Sequence, residues 1–127
     1  MLFRSNGNLI QRLVPINQHM NLPWGVAVTG ANFGSFSYAL VVGNFGDGTI
    51  SAFDLSSGDY LGTMQDGKGA NISINGLWGL QWGNGGSGGS ASTLYFAASP
   101  GAGPSGFSQH GLFGSLKPGP DGASTLQ

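Results

Sequence analysis

The side chains of this sequence that could do chemistry are two histidines and a set of short polar residues. His19 and His110 are the only histidines, and a histidine can act as a general base near neutral pH. Neither has a carboxylate at a recognisable catalytic spacing, so we assign no catalytic residue and no metal ligand. Amide and carboxylate oxygens suit hard cations such as Ca²⁺. We predict a ligand-binding set of loop residues: His19, Asn44, Asp47, Asn75 and His110.

Turn formation is the competing explanation for these asparagines and aspartates. Asn and Asp tolerate the left-handed backbone of tight turns, and their side chains accept hydrogen bonds from nearby backbone amides. Only Asp47 and Asp66 would bring charge to the predicted set of loops, which is little for calcium. We therefore predict no cofactor and expect turn chemistry to explain most of these residues, with a calcium or other divalent-ion site as the alternative.

Five aromatic residues could stack on a sugar ring, which makes a carbohydrate or another small molecule a candidate ligand. Most of them open or follow predicted strands, where an aromatic ring more often packs between sheets. We expect packing to be their main role. These residues are Trp24, Tyr38, Trp78, Trp82 and Tyr95.

The composition favours an all-β protein. The 127 residues include 25 Gly and 6 Pro, and 7% of them are charged, with a net charge of −1. So few Lys and Arg argue against nucleic-acid binding, and the absence of Cys excludes disulfides. No apolar run approaches the roughly 18 residues of a membrane span. The first residues lack the apolar core of a signal peptide.

A repeat organises the chain. The segment Leu22–Val28 returns as Gly76–Trp82, and Ala39–Gly43 returns at the same offset of 54 residues as Thr93–Ala97. Repeated units of this length with four short strands each are typical of propeller blades. A β-sandwich made from a duplicated Greek key is the alternative. The Trp-Gly pairs that mark the repeat are Trp24, Gly25, Trp78 and Gly79.

We predict a partial β-propeller over residues 1–118, with about two four-stranded antiparallel blades and one partial blade. Residues 1–14 form a half blade, and residues 22–64 and 75–116 form complete blades. Residues 117–127 are expected to be a flexible tail. Because two stacked blades leave two sheet faces uncovered, we also predict self-association, or contact with propeller blades that this chain lacks.

Four segments resemble a group of bacterial conserved hypothetical proteins that are propellers of the NHL-repeat kind. They are Leu22–Ala27, Ala39–Asp54, Gly76–Leu80 and Gln109–Ser115. The resemblance implies a six-bladed propeller, of which this chain would be a C-terminal fragment. It also implies an extracellular or cell-surface location, since many members are exported and some carry a PEP-CTERM sorting signal.

The function expected from these patterns is a non-catalytic binding or scaffolding module of an exported bacterial protein. The alternative is a metal-assisted hydrolase or lyase, as in NHL-like or lactonase-like propellers. The two hypotheses differ in whether the predicted loop residues converge on a divalent ion.

Overall fold

The protein is built from short antiparallel strands, which confirms the all-β prediction. The computed structural model describes residues 2–3, 5–101, 111–119 and 124–126. Within these residues the helical element is a single 3₁₀ turn, Gly34–Phe36. The strands are β1 (Leu2–Phe3), β2 (Leu9–Gln11), β3 (Pro23–Val28), β4 (Ala39–Asn44), β5 (Ile50–Asp54), β6 (Tyr60–Thr63), β7 (Leu77–Trp82), β8 (Leu94–Ala98), β9 (Leu112–Pro118) and β10 (Ser124–Leu126).

The strands form two four-stranded sheets and one hairpin. In the first sheet the order is β3-β4-β5-β6, and in the second it is β7-β8-β9-β10. Both sheets are antiparallel, with neighbours in space that are also neighbours in sequence. Strands β1 and β2 pair with each other as a separate N-terminal hairpin. None of the described residues lies in a helix long and apolar enough to cross a membrane.

The two sheets repeat the same strand register. Gly25 pairs with Gly43 in the first sheet, and Gly79 pairs with Ala97 in the second, 54 residues later in both strands. The register shifts at the same place in each sheet, so that Trp24 and Trp78 are the extra residues of equivalent bulges. A β-bulge re-aims the side chain it carries. The repeat therefore preserves the pairing as well as the residue types.

The N-terminal hairpin repeats the outer two strands of the first sheet. Phe3 pairs with Leu9 in the hairpin, and Phe53 pairs with Tyr60 in the sheet. In both cases the register shifts directly before the phenylalanine. Both turns also contain a glycine with positive φ, 84° at Gly7 and 78° at Gly58. The hairpin is thus equivalent to the outer half of a repeat unit.

The two sheets pack face to face, and the contacting faces are not equivalent. The first sheet contributes a small-residue face, and the second contributes a large-residue face; the buried core lies between them. The small-residue face consists of Gly25, Ala27, Ala39, Val41, Gly43, Ile50 and Ala52. The large-residue face consists of Leu80, Trp82, Leu94, Phe96 and Leu116.

Small residues on β3 and β4 allow the sheets to approach closely. A Cβ atom on Gly25 would lie 2.5 Å from the Trp78 carbonyl oxygen and 2.9 Å from the Leu80 amide nitrogen. On β4, a Cβ atom on Gly43 would lie 3.0 Å from the Leu77 side chain. The first strands of the two sheets, β3 and β7, are therefore in backbone contact, which only a residue without a side chain permits at position 25.

The C-terminal segment differs from the predicted flexible tail. Strand β9 continues to Pro118, and β10 pairs with it through Ser124↔Pro118 and Leu126↔Leu116. The second sheet thus extends past the predicted boundary at residue 116. The physical reason is that β9 would otherwise expose unpaired backbone amides and carbonyls, which a following strand can satisfy.

We expect Gly25→Ala to lower the free energy of unfolding by about 1–3 kcal/mol, because the methyl group collides with the backbone of β7. Gly79→Ala is the matched control at the equivalent position, where the nearest atom to a Cβ is the Ala97 side chain at 4.0 Å. That change should alter stability by less than about 0.5 kcal/mol. Urea unfolding followed by fluorescence measures both, and equal effects would contradict the close packing of β3 on β7.

Candidate functional site

Three chain segments that carry predicted site residues meet at one end of the first sheet. We call this region the rim and define it as residues 19–21, 44–49 and 73–75. The Gly46 amide donates to the Asn21 carbonyl oxygen at 3.0 Å, and the Ile74 amide donates to the Gly48 carbonyl oxygen at 2.9 Å. Ser73 Oγ donates to the Asp47 carbonyl oxygen at 2.7 Å. Hydrogen bonds to backbone carbonyl oxygens therefore hold the rim together.

Asn44 is a buried structural residue of the rim. Its side chain is 1% exposed, and its Oδ1 accepts a hydrogen bond from the Asn21 amide at 2.9 Å. Its Nδ2 donates to Thr49 Oγ1 at 3.0 Å and to Ser51 Oγ at 3.1 Å. The amide group thus joins the segment before β3 to both ends of the β4–β5 connection, and its polar atoms are already in use.

Asp47 uses its carboxylate to hold its own turn. Oδ1 accepts hydrogen bonds from the Thr49 hydroxyl at 2.7 Å and the Thr49 amide at 3.0 Å, and Oδ2 accepts one from Asn21 Nδ2 at 3.4 Å. Partial burial alone would raise the pKa of Asp47, but the hydrogen bonds from Thr49 and Asn21 outweigh it and lower the pKa below 3.8. The carboxylate is therefore ionised at neutral pH.

His19 belongs to the rim through its backbone, and its ring lies over the outer part of the first sheet. The imidazole stacks on the Tyr60 ring, with a centroid separation of 3.6 Å and an interplanar angle of 2°. The His19 carbonyl oxygen accepts a hydrogen bond from Ser51 Oγ at 2.6 Å. Because Ser51 also contacts Asn44, the backbone of His19 is linked to Asn44 through Ser51, while its ring packs on an aromatic neighbour.

The remaining two predicted residues are placed differently. Asn75 is exposed and follows Ile74, whose amide contacts the β4–β5 connection. His110 lies outside the described residues. Among the residues that the structure describes, no group of three or more His, Asp or Glu could hold a metal ion. The structure thus brings together Asn44, Asp47 and the backbone of His19, with Asn75 at their edge.

The same use of aspartate recurs in two other turns. Asp54 Oδ1 accepts hydrogen bonds from the Ser56 hydroxyl at 2.6 Å and from the Ser56 and Ser57 amides at 2.8 Å. The Ser56 hydroxyl and these amides lower the pKa of Asp54 to about 2. Backbone amides of Lys68 and Ala70 likewise lower the pKa of Asp66. Turn stabilisation therefore explains the carboxylates of these two loops as well.

Two aromatic clusters lie at the surface, one at the starts of β3 and β7 and one on β8 and β9. The Trp24 and Trp78 rings lie 5.0 Å apart, and Phe45 lies 5.8 Å from Trp78. The sequence analysis named the two tryptophans as candidate stacking residues but missed Phe45. The position of Phe45 directly after β4 could have indicated it. On the second sheet, Tyr95 and Phe113 stack at 5.8 Å. The first cluster joins equivalent residues of the two repeat units.

An apolar groove lies on the side of the first sheet that does not face the second sheet. Its volume is about 470 Å³. Its floor is made by side chains of β3 and β4, and residues that precede β3 form one wall. The lining residues are Leu13, Val14, Val26, Val28, Leu40, Val42 and Leu55.

Two mimivirus proteins are similar to parts of this chain. The uncharacterized protein R648 of Acanthamoeba polyphaga mimivirus is 34% identical over 79 residues, which are 62% of this chain and 19% of that protein. The uncharacterized protein R640 of the same virus is 33% identical over 61 residues, which are 48% of this chain and 11% of that protein. The chain therefore matches less than a fifth of either relative's length. No family model and no solved structure matches the chain.

These similarities correct the family expected from the sequence. The resemblance to bacterial proteins of the NHL-repeat kind is wrong, because the matching relatives are viral and no such family model matches. The physical reason is that glycine-rich strings such as Gly43–Ile50 arise wherever two short strands need a tight connection. The extracellular location depended on that resemblance and stays a prediction.

We expect Asn44→Ala to lower the free energy of unfolding by about 1–3 kcal/mol, because it leaves the buried partners of the amide without hydrogen bonds. Asn75→Ala is the matched control, since Asn75 is exposed on the same rim. It should change stability by less than about 0.5 kcal/mol. Both values come from urea unfolding, and a neutral Asn44→Ala would contradict the structural role of Asn44.

We expect the free energy of unfolding to fall as the pH drops from about 4 to about 2. The pKa of Asp54 is about 2 in the folded protein against an ordinary value of 3.8. A lowered folded pKa contributes stability that is complete above the ordinary pKa and is lost as the pH falls through the folded value. Asp54→Asn should reduce this slope in urea unfolding across that range.

Ser56→Ala is the companion variant for this pH effect. It keeps the carboxylate of Asp54 but removes the hydroxyl that lowers the pKa most. The slope should therefore also become shallower. A slope that is unchanged in both variants would show that Asp54 does not carry the pH dependence.

Proposed function

We propose that this chain forms two adjoining blades of a β-propeller and serves as a binding or scaffolding module without catalytic activity of its own. The observation that carries this proposal is the contact between non-equivalent faces of two equivalent sheets. Contact of that kind continues in one direction from unit to unit, as in stacked repeat proteins. The backbone contact at Gly25 brings the first strands of the two units together, which supports a stack with those strands at its centre.

The exposed face of the first sheet favours this arrangement over a β-sandwich. In a sandwich the outward-facing positions of each strand are polar. Here the outward positions of β3 and β4 are Val26, Val28, Leu40 and Val42. They are equivalent, 54 residues earlier, to Leu80, Trp82, Leu94 and Phe96, which are packed against the first sheet. An apolar outer face suits a unit that has a neighbour on both sides.

The state of the polar rim supports a module that binds or supports rather than catalyses. The Asn44 amide is buried and bonded to Asn21, Thr49 and Ser51. The Asp47 carboxylate is bonded to Thr49 and Asn21. These groups hold loops in place, and a rigid rim is what a binding surface needs. A carbohydrate or small-molecule ligand stays a prediction.

Calcium titration separates this proposal from a metal-dependent enzyme. We expect no binding heat by calorimetry at calcium concentrations up to about 1 mM, the range of weak extracellular sites. The reason is that both carboxylate oxygens of Asp47 already accept hydrogen bonds within the rim. Asp47→Asn and Asp66→Asn are the matched pair. Calcium uptake that Asp47→Asn abolishes and Asp66→Asn preserves would contradict the proposal and favour a metal site at the rim.

A further inference from the structure

The repeat leaves an apolar surface without a partner on the open face of the first sheet. Val26 is 57% exposed and Val28 is 45% exposed, and both line the groove of about 470 Å³. Exposed apolar surface of this kind is unfavourable in water and marks an interaction site. The question is which partner the groove fits.

The contact between the two sheets shows what covers this kind of face. The equivalent face of the second sheet, which includes Leu80 and Phe96, is covered by the small-residue face of the first sheet. At the centre of that contact, Gly25 lies against the backbone of β7. The same register is present in both units. A partner for the open face should therefore present two antiparallel strands with Gly, Ala and Val at the contact positions.

The outer half of the open face is already covered by the chain itself. The His19 ring stacks on Tyr60 of β6, and a Cβ atom on Gly58 would collide with the Leu13 carbonyl oxygen. These contacts come from the segment that follows the N-terminal hairpin, which is equivalent to the outer strands of a repeat unit. On the inner strands, Val26 and Val28 of β3 remain exposed, while Val42 of β4 is buried at the floor of the groove. The uncovered part of this face therefore lies over the inner strands, and mainly over β3.

We propose that this groove binds the inner pair of strands of a preceding repeat unit, whose outer pair is the N-terminal hairpin of this chain. The inference rests on the proposed function, because it extends the same blade-to-blade contact by one unit. A second whole copy fits less well, since its second sheet is four strands wide and its outer strands would meet the segment around Leu13 and His19. In R648, 79 matched residues are 19% of the protein, so that relative has room for further units in tandem.

The test adds the missing strands in tandem. Phe3 is equivalent to Phe53 in the hairpin register, so a copy of residues 22–50 joined directly before Met1 supplies an inner strand pair in register. The chain contains no Cys, so Val26→Cys in the original first sheet places a single thiol in the groove. Gln81→Cys is the matched control, because Gln81 is exposed on the open side of the second sheet.

We expect the added strands to slow thiol labelling of Val26→Cys about tenfold or more. A tenfold change requires that the strands cover the groove in about nine of ten molecules, which corresponds to about 1.4 kcal/mol. Labelling of Gln81→Cys should stay the same. The melting temperature of the extended protein should rise by about 4 °C or more. In the original chain the small-residue face packs against Leu80 and Trp82, which are larger than their counterparts Val26 and Val28. Some empty volume will therefore remain in the new contact and limit the gain in stability, so thiol protection is the primary readout.

A second extended protein tests the contact face itself. Its added copy carries Gly25→Ala and Ala27→Glu, which place a methyl group and a charge on the small-residue face while the original chain is unchanged. We expect this change to remove most of the thiol protection, because a buried unpaired charge is costly. Equal labelling of Val26→Cys with and without the unmodified added strands would overturn the inference.

Two further outcomes identify other occupants or a deeper failure. If labelling of Val26→Cys and Gln81→Cys in the unextended chain falls together as protein concentration rises, a second copy covers the groove and the inference is wrong. If Gly25→Ala leaves the stability of the unextended chain unchanged, the contact between the two sheets is itself wrong and the proposed function fails. A normal effect of Gly25→Ala with an unprotected groove rejects the further inference alone.

Discussion

The rest of the structure depends on the backbone contact between the first strands of the two sheets. Gly25 has no side chain, so β3 can lie directly against β7, and the wider parts of the sheets then enclose the apolar core. A Cβ atom at this position would separate the strands at the point where they are closest. Burial of the core provides the main stabilising free energy, and this contact determines how closely the two sheets approach at their first strands.

The sequence predicted the strands and the repeat well because both are local or periodic properties. The offset between Trp24 and Trp78 reappears as an identical register and an identical bulge. The C-terminal strand was missed, since Ser124–Leu126 is short and pairs only because β9 offers a free edge. Which face of each sheet would be buried was also beyond the sequence, because Val26 and Leu80 have the same pattern and opposite exposure.

The candidate site was predictable as a list of residue types but not as a set of roles. Asn44 and Asp47 have the chemistry of cation ligands, yet their atoms hold the rim through Asn21 and Thr49. Asn21 is distant in sequence from both residues, and threonines such as Thr49 are common in loops. Spacing in the sequence therefore could not identify these hydrogen-bond partners. The stacking of His19 on Tyr60 is likewise a contact that appears only after the sheets assemble.

The unequal faces also determine how the two units can diverge. Trp82 packs over Gly30, where a Cβ atom would lie 2.8 Å from the indole nitrogen, and its counterpart in the earlier unit is Val28. The space for the indole is therefore provided by a glycine that follows β3 of the other unit, and the size of Val28 does not affect it. Equivalent positions of the two units can therefore differ in side-chain volume, provided that the combined volume of each pair of facing residues stays the same.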